Sequence, residues 1–501
     1  MVSPKPIQFD SHRAFWYVPA IIAEEILLQA KELSRCAGTL RRSRRRRLGA
    51  PGLVAEVPCL LFMVNWSGEG MKVLVIGSGG RDHSIAWKFS QSPRVTQLYV
   101  AHGNAGISQV AECVNAQSVE EMVAFAAEER IDLTFVGPES PLSAGIVDRF
   151  QEQGLAIVGP TQAASRLESS KSYAKVIMRD LGIPVAEFEV FDDPARACDY
   201  VHSVGYPVVV KADGLAAGKG SLVCNDAAQA EDAVHQLMVT RIFGDSGRVV
   251  EIERRLYGRE LSFFCFTDGK SVLPMVAAQD YKHARDGNEG KNTGGMGAYS
   301  PHPWLTDEMS RVIMERVILP LIHGFREKTG IVYKGILYAG LMLVEERGGI
   351  TPYVLEINIR FGDPEAQVIL PRLETDLVEI SEAIIRGRLQ EVQPQWSPDY
   401  RLCLIAVSGR TKGKKGWYRG YPERYKIGVP IDGVDRIDPG CVVFHSGTAF
   451  GENSQLITTG GRVLCIVSSG RTLAAAREVA YREMKKVNFE GIYYRSDIGK
   501  E

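Results

Sequence analysis

A chain of 501 residues exceeds what one hydrophobic core organises, so about three domains of ~100–200 residues each are expected. A net charge of −1 gives no bulk electrostatic reason to expect nucleic acid or a membrane surface as partner. Nine cysteines, scattered from Cys36 to Cys465 with no C-x-x-C pair and no Cys/His cluster of zinc-site spacing, argue for reduced thiols in an intracellular protein and against a disulfide-stapled secreted one.

Residues 1–70 do not read like the rest of the chain. They carry the run Arg41-Arg-Ser-Arg-Arg-Arg-Arg47 and an apolar patch, Leu60-Leu-Phe-Met63, without the periodicity that builds a domain. An Arg-rich, Ser-bearing leader could address an organelle, but Asp10, Glu24, Glu25 and Glu32 make this one acidic for that purpose. The favoured alternative is that Met71 is the true start, because Met71-Lys-Val-Leu-Val-Ile-Gly77 opens a strand at once. The apolar run Gly52 to Val64 contains Glu56 and falls short of the ~20 residues that span a bilayer.

From Met71 the order is strand, glycine turn, helix: Val73 to Ile76, then Gly77-Ser-Gly-Gly-Arg-Asp-His83, then a helix from Ser84. A dinucleotide fingerprint is excluded, since Asp82 stands where the third glycine is needed and no acid follows at ~20 residues to hold a ribose. The turn can still seat a phosphate on a helix N-terminus, helped by Arg81. Further βα units end in His102-Gly-Asn-Ala-Gly106, Gly137-Pro-Glu-Ser-Pro141 and Gly159-Pro160, so this part reads as a small doubly wound α/β domain with ligand-binding loops at the strand ends.

Ser169-Ser-Lys171-Ser-Tyr-Ala-Lys175 opens a helix, and a lysine near a helix start is unusual unless it meets an anion. Val208-Val-Val-Lys211 reads as a buried strand running into Gly214-Leu-Ala-Ala-Gly-Lys-Gly220, a loop whose N–H groups and Lys219 can face an anion. It is not the common P-loop, being one residue short and lacking the hydroxyl that binds Mg²⁺. Residues 279–297 are too polar and glycine-rich for a packed element, and loops that long are usually functional. On the strand ending Glu356-Ile-Asn-Ile-Arg360, alternate residues share a face, so Glu356, Asn358 and Arg360 project together as a candidate Mg²⁺-phosphate site.

The order Lys171, Lys211, glycine loop, Glu356/Asn358 resembles the ATP-grasp superfamily, in which two lysines and a mobile loop hold ATP between two α+β lobes. Four longer motifs narrow the match: Gly77 to His83, Lys211 to Gly220, Asn292-Thr-Gly-Gly-Met-Gly-Ala-Tyr-Ser-Pro301 and Arg360-Phe-Gly-Asp-Pro-Glu365. Together they resemble the phosphoribosylamine–glycine ligase family, also called glycinamide ribonucleotide synthetases, in its monofunctional form. The resemblance implies an N-terminal α/β domain over 71–170, a two-lobed ATP-grasp domain over 171–392 and a small mixed β/α domain over 393–501, with 1–70 a disordered or non-native extension.

The resemblance also implies ATP-dependent joining of glycine to 5-phosphoribosylamine, a carbon–nitrogen ligation of purine biosynthesis. It assigns Lys171, Lys211, Gly214, Gly218, Lys219, Gly220, Glu253 and Glu260 to ATP, and Glu356 and Asn358 to Mg²⁺ or Mn²⁺. Arg360, Lys211 and Asp280 take catalytic roles. Gly79, Gly80, Arg81, Asp82, Asn104, Gly106, Lys282, Asn292, Gly294 and Asp363 contact substrates. A cytoplasmic monomer acting on small molecules is implied, with neither nucleic acid nor membrane as partner. Glu251-Ile-Glu-Arg-Arg-Leu256 departs from the usual Glu-Glu-Phe-Leu, with one residue inserted by this reading. The alternatives are another ATP-grasp ligase, such as a carboxylase, against which Asn292 to Pro301 argues, and an inactive nucleotide-binding scaffold.

Overall fold

A computed structural model describes residues 70–216, 219–413 and 416–500. The Arg run, the apolar patch and Gly218 lie outside the described residues.

The first sheet is five parallel strands in the order β3-β2-β1-β4-β5: β1 Met71–Gly77, β2 Val95–His102, β3 Glu112–Val114, β4 Leu133–Val136 and β5 Ile157–Val158. Parallel strands covered on both faces read as continuous apolar runs, and Val73, Leu74, Val75 and Ile76 are all fully buried. The helix after β1 spans Gly80–Ser90, so it begins four residues earlier than the sequence suggested. The cause is Asp82, whose carboxylate accepts from the backbone N–H groups of Ser78 (2.9 Å) and Gly79 (2.8 Å) and satisfies donors that the helix start leaves unpaired.

Two antiparallel sheets form the middle of the chain. One runs β6-β9-β7-β8, with β6 Phe188–Phe191, β7 Val208–Ala212, β8 Ser221–Cys224 and β9 Val250–Arg254. Pairing of β9 with both neighbours is unbroken, so no bulge accommodates the irregular Glu251 segment. Next in the chain come β10 Arg259–Thr267, β11 Val272–Pro274, β12 Gln279–Asp280, β13 His283–Arg285, β14 Glu289–Asn292, β15 Gly297–Ser300, β16 Gly335–Glu346 and β17 Gly349–Asn358. Of these, β11-β10-β16-β17 make the second sheet. The helix Lys171–Asp180 starts where expected, its Ser170 hydroxyl accepting from the Tyr173 N–H at 3.2 Å.

Residues 279–297 correct the expectation of an unstructured loop: β13 and β14 form a hairpin, while β12 and β15 join a sheet of the C-terminal part. That sheet runs β12-β15 and then Tyr400–Ser408, Arg462–Gly470 and Val442–His445. Backbone pairing meets the polar segment's hydrogen-bonding demand where periodicity gives no signal. Among the described residues no helix is long and apolar enough to cross a membrane, and the cysteines are free thiols.

Candidate functional site

A cavity of about 580 Å³ opens where these sheets meet, lined by residues from about 81 to 462. It gathers Arg81, Lys171, Lys211, Gly220, Glu253, Glu260, Asp280, Lys282, Asn292, Gly294, Glu356, Asn358, Arg360 and Asp363 from the sequence-predicted set.

One end is basic below and apolar around. In the β7/β9 register Lys211 lies opposite Glu251 and Val209 opposite Glu253, so all four share the face turned to the helix Lys171–Asp180. The Lys211 ammonium sits 2.5 Å from Glu253 and donates to the Leu355 carbonyl at 2.9 Å. Lys175, which sequence reasoning quoted but did not assign, is buried and reaches the same carboxylate at 2.6 Å. Its signal was the i, i+4 spacing from Lys171, which stacks both on one helix face. Lys171 donates to the Gly214 carbonyl at 3.2 Å, beneath the glycine loop. Val209, Val223, Met178, Leu256, Met342 and Leu355 supply an apolar slot beside these charges. Removing Lys175 leaves a buried carboxylate short of one partner. Lys175→Met is therefore expected to destabilise the fold by about 3 kcal/mol in thermal or denaturant melts, with the added Glu253→Gln recovering part of the loss.

Glu356 and Asn358 project from the end of β17 and Arg360 from the bend after it. Burial alone would raise the Glu356 carboxyl, but Lys282 (3.6 Å away), Lys211, Lys171 and Arg360 overcome it and hold the group at about 2. An ionised carboxylate and an amide oxygen from one strand face suit a hard divalent cation, and the buried Asn358 amide nitrogen, which has no hydrogen-bond partner, is a donor left for an acceptor such as a phosphate oxygen. Among the described residues no three His, Cys, Asp or Glu side chains converge as a metal cluster. A cation at this pair would therefore keep positions for phosphate oxygens and water, as Mg²⁺ does beside nucleotides.

Arg360 donates to Glu168 at 2.6 Å, Glu139 at 3.2 Å and the Asn358 oxygen at 3.0 Å. Glu139 also faces Arg81 at 3.7 Å. Burial pushes the Glu139 carboxyl up, and Arg360 and Arg81 together pull it down to about 2. Both glutamates were missed from sequence because they lie some 190–220 positions from Arg360, although Glu139 sits in a βα loop of the ligand-binding kind.

Asp280, Lys282, Asn292, Gly294 and Asp363 line the polar part of the same cavity. Burial raises the Asp280 carboxyl to about 8 although Lys282 opposes it, with Glu365, Glu260 and Glu356 adding to the rise. Arg462, from the C-terminal part, forks onto both Asp363 oxygens at 2.9 and 3.2 Å and donates to the Gly294 carbonyl. It too was not singled out from sequence, where it is one arginine in a turn.

Among the described residues, the remaining predicted ones stand outside the lining. Asp82 is spent on the turn's N–H groups and Arg81. Asn104 accepts from Gly106 and Ile107 and donates to Ser78 and His445, tying the first sheet's loop to the C-terminal part. A Cβ on Gly106 would meet the His83 and His445 rings at 2.5 Å or less, and one on Gly80 would meet Gln367 and Ser446 at 2.7 Å. Those glycines permit close packing. Gly79 precedes the helix, its nearest approach to the site being Asp363 at 3.6 Å from a Cβ built there. The Gly214 carbonyl accepts from Lys171, and the Lys219 ammonium stands 5.7 Å from the ring centre of Tyr421, whose hydroxyl accepts from the Gly294 N–H at 3.0 Å.

Comparisons with known proteins identify the family. The family description Phosphoribosylglycinamide synthetase matches in three parts: its N domain over residues 71–168, its ATP-grasp (A) domain over 169–366 and its C domain over 418–501. A phosphoribosylamine–glycine ligase of Caldanaerobacter subterraneus subsp. tengcongensis is 46% identical over 430 residues, covering 85% of this chain and 99% of the relative. One from Halalkalibacterium halodurans is 45% identical, covering 86% and 97%. The crystal structure of a Thermotoga maritima phosphoribosylamine–glycine ligase superposes with a TM-score of 0.72 at 30% identity, covering 85% of this chain and all of that one. A Hydrogenobacter thermophilus biotin carboxylase domain, solved with MgADP and bicarbonate, shares the fold at a TM-score of 0.62 and 18% identity, covering 84% and 91%. With three consecutive domain matches and relatives matched over nearly their whole length, the chain belongs to the phosphoribosylglycinamide synthetase family and is an ATP-grasp carbon–nitrogen ligase, a phosphoribosylamine–glycine ligase.

Proposed function

We propose that the enzyme joins glycine to 5-phosphoribosylamine at this cavity, with ATP becoming ADP and phosphate through glycyl phosphate. The observation that carries the reading is one cavity that holds a lysine-rich, apolar-walled end and a polar end, with Glu356, Asn358 and Arg360 between. A glycine carboxylate oxygen attacks the γ-phosphorus as the bond to the β-phosphate oxygen breaks. The amine nitrogen then adds to the acyl carbon, phosphate leaves, and the nitrogen gives up a proton. Such phosphoryl transfer needs positioning and charge neutralisation more than covalent help.

Lys171 and Lys211 hold the nucleotide phosphates, and the Gly214–Gly220 loop with Lys219 covers them. Glu253 fixes Lys211 together with Lys175, and Glu260 lines the same cavity. Glu356 and Asn358 hold Mg²⁺, or Mn²⁺, which neutralises phosphate charge when bound. Arg360 stabilises charge on the transferring group, while Asp280, Lys282, Asn292, Gly294, Asp363 and Arg81 orient glycine and the sugar phosphate. The same reading assigns a monomer working on free small molecules in the cytoplasm.

Measuring ADP release with each component omitted tests the reaction. Turnover is expected only with glycine, 5-phosphoribosylamine, ATP and a divalent cation together; comparable turnover with bicarbonate in place of glycine would refute it.

A further inference from the structure

Among the described residues, Glu251 is the acid beside the lysine pair that the proposed chemistry leaves unused. It lies on β9, interior to its sheet, fully buried, and neither carboxylate oxygen has a hydrogen-bond partner. Its nearest cation, Lys211, stands at 3.9 Å, beyond hydrogen-bond reach, because Glu253 and the Leu355 carbonyl already engage that ammonium. The charged groups around it are Lys211 on β7, Lys175 and Lys171 on the facing helix, and Glu253 on its own strand. On β6, Val190 and Phe188 are the residues paired with Glu251 and Glu253, and on β8 Ser221 pairs with Lys211, so neither strand adds a charge on this face.

A buried carboxylate without donors is far costlier ionised than neutral, and one proton removes that penalty without disturbing the Lys175–Glu253–Lys211 bridge. We propose that Glu251 is a positioning residue that carries a proton in the nucleotide-competent enzyme and thereby leaves the lysine pair with a net positive charge for the phosphates. With Glu251 neutral, Lys175, Lys211 and Glu253 sum to +1; with Glu251 ionised the sum is zero, and Lys211 has a second carboxylate to turn to. Burial is also what raises its carboxyl to about 7, against the pull of Lys175 and Lys211, so the change falls near neutral pH. The sign follows by linkage. An anionic ligand favours the protonated form, so nucleotide affinity belonging to this group is complete below about pH 6 and declines as pH rises through 7.

The inference rests on the reading that Lys171 and Lys211 bind ATP phosphates. Its test is calorimetric titration of MgADP into the full chain and into Glu251→Gln between pH 6 and 8.5, with Glu251→Leu as a second neutral variant if the amide folds poorly. The ratio of the two proteins' dissociation constants cancels the ligand's own titration. The variant is expected to match the parent within about twofold at pH 6 and to bind about tenfold more tightly at pH 8.5, the scale for one charge over roughly one pH unit. A ratio that stays constant with pH overturns the inference alone, as does weaker binding by both neutral variants at every pH. A parent protein that does not bind MgADP overturns the inference together with the reading beneath it.

Discussion

Arg360→Ala is expected to lower kcat by about 10²–10³-fold, the scale for losing a preorganised donor to developing charge. The guanidinium stands beside Glu356 and Asn358, where the reading places the transferring phosphate, and its always-charged fork holds a fixed position through Glu168 at 2.6 Å and Glu139 at 3.2 Å. Those same partners predict a second effect. Without the arginine, Glu168 and Glu139 lose the cation that offsets their burial, and stability should fall by about 3–5 kcal/mol. Rate and melting temperature must therefore be measured together. Arg360→Lys separates the two: it keeps the charge and most of the stability, but loses the fork that engages two carboxylates and an amide at once, so its rate should stay well below the parent's. A folded Arg360→Ala protein with near-normal kcat would remove this residue from the chemistry.

Glu356→Gln should act through the cation. Burial would raise the carboxyl, but Lys282, Lys211, Lys171 and Arg360 hold it ionised at about 2, so it is anionic near neutral pH. Exchanging it for an amide of equal size keeps an oxygen but removes the only negative charge among the two side chains proposed for the ion. The free Mg²⁺ concentration giving half-maximal rate is expected to rise by at least about tenfold, with kcat at saturating Mg²⁺ also reduced. Chelation should abolish turnover in both proteins. An unchanged Mg²⁺ midpoint would show that the ion is held elsewhere.

Most of the site's composition was legible in the sequence, because strand periodicity and glycine placement are local. The two-residue alternation along Glu356, Asn358 and Arg360, the lysine closing the β7 strand and the serine before Lys171 each follow from backbone geometry within a few residues. One departure has a local cause: the helix after β1 starts early because Asp82 reaches back to two N–H groups. Asn104 engages backbone groups as well, one of them 341 positions away, a contact that no local pattern encodes.

What the sequence determined by itself is the set of chemical groups and the family resemblance, since motifs are read from neighbouring residues. What only the tertiary structure decided is which charges meet. Lys175 with Glu253, Arg360 with Glu139 and Glu168, and Asp363 with Arg462 are separated by tens to hundreds of positions, and no periodicity encodes such pairs. Burial does the rest. It raises Asp280 and Glu251, while the surrounding cations win at Glu356 and Glu139, and that balance depends on the number and distance of neighbours that the fold alone brings together.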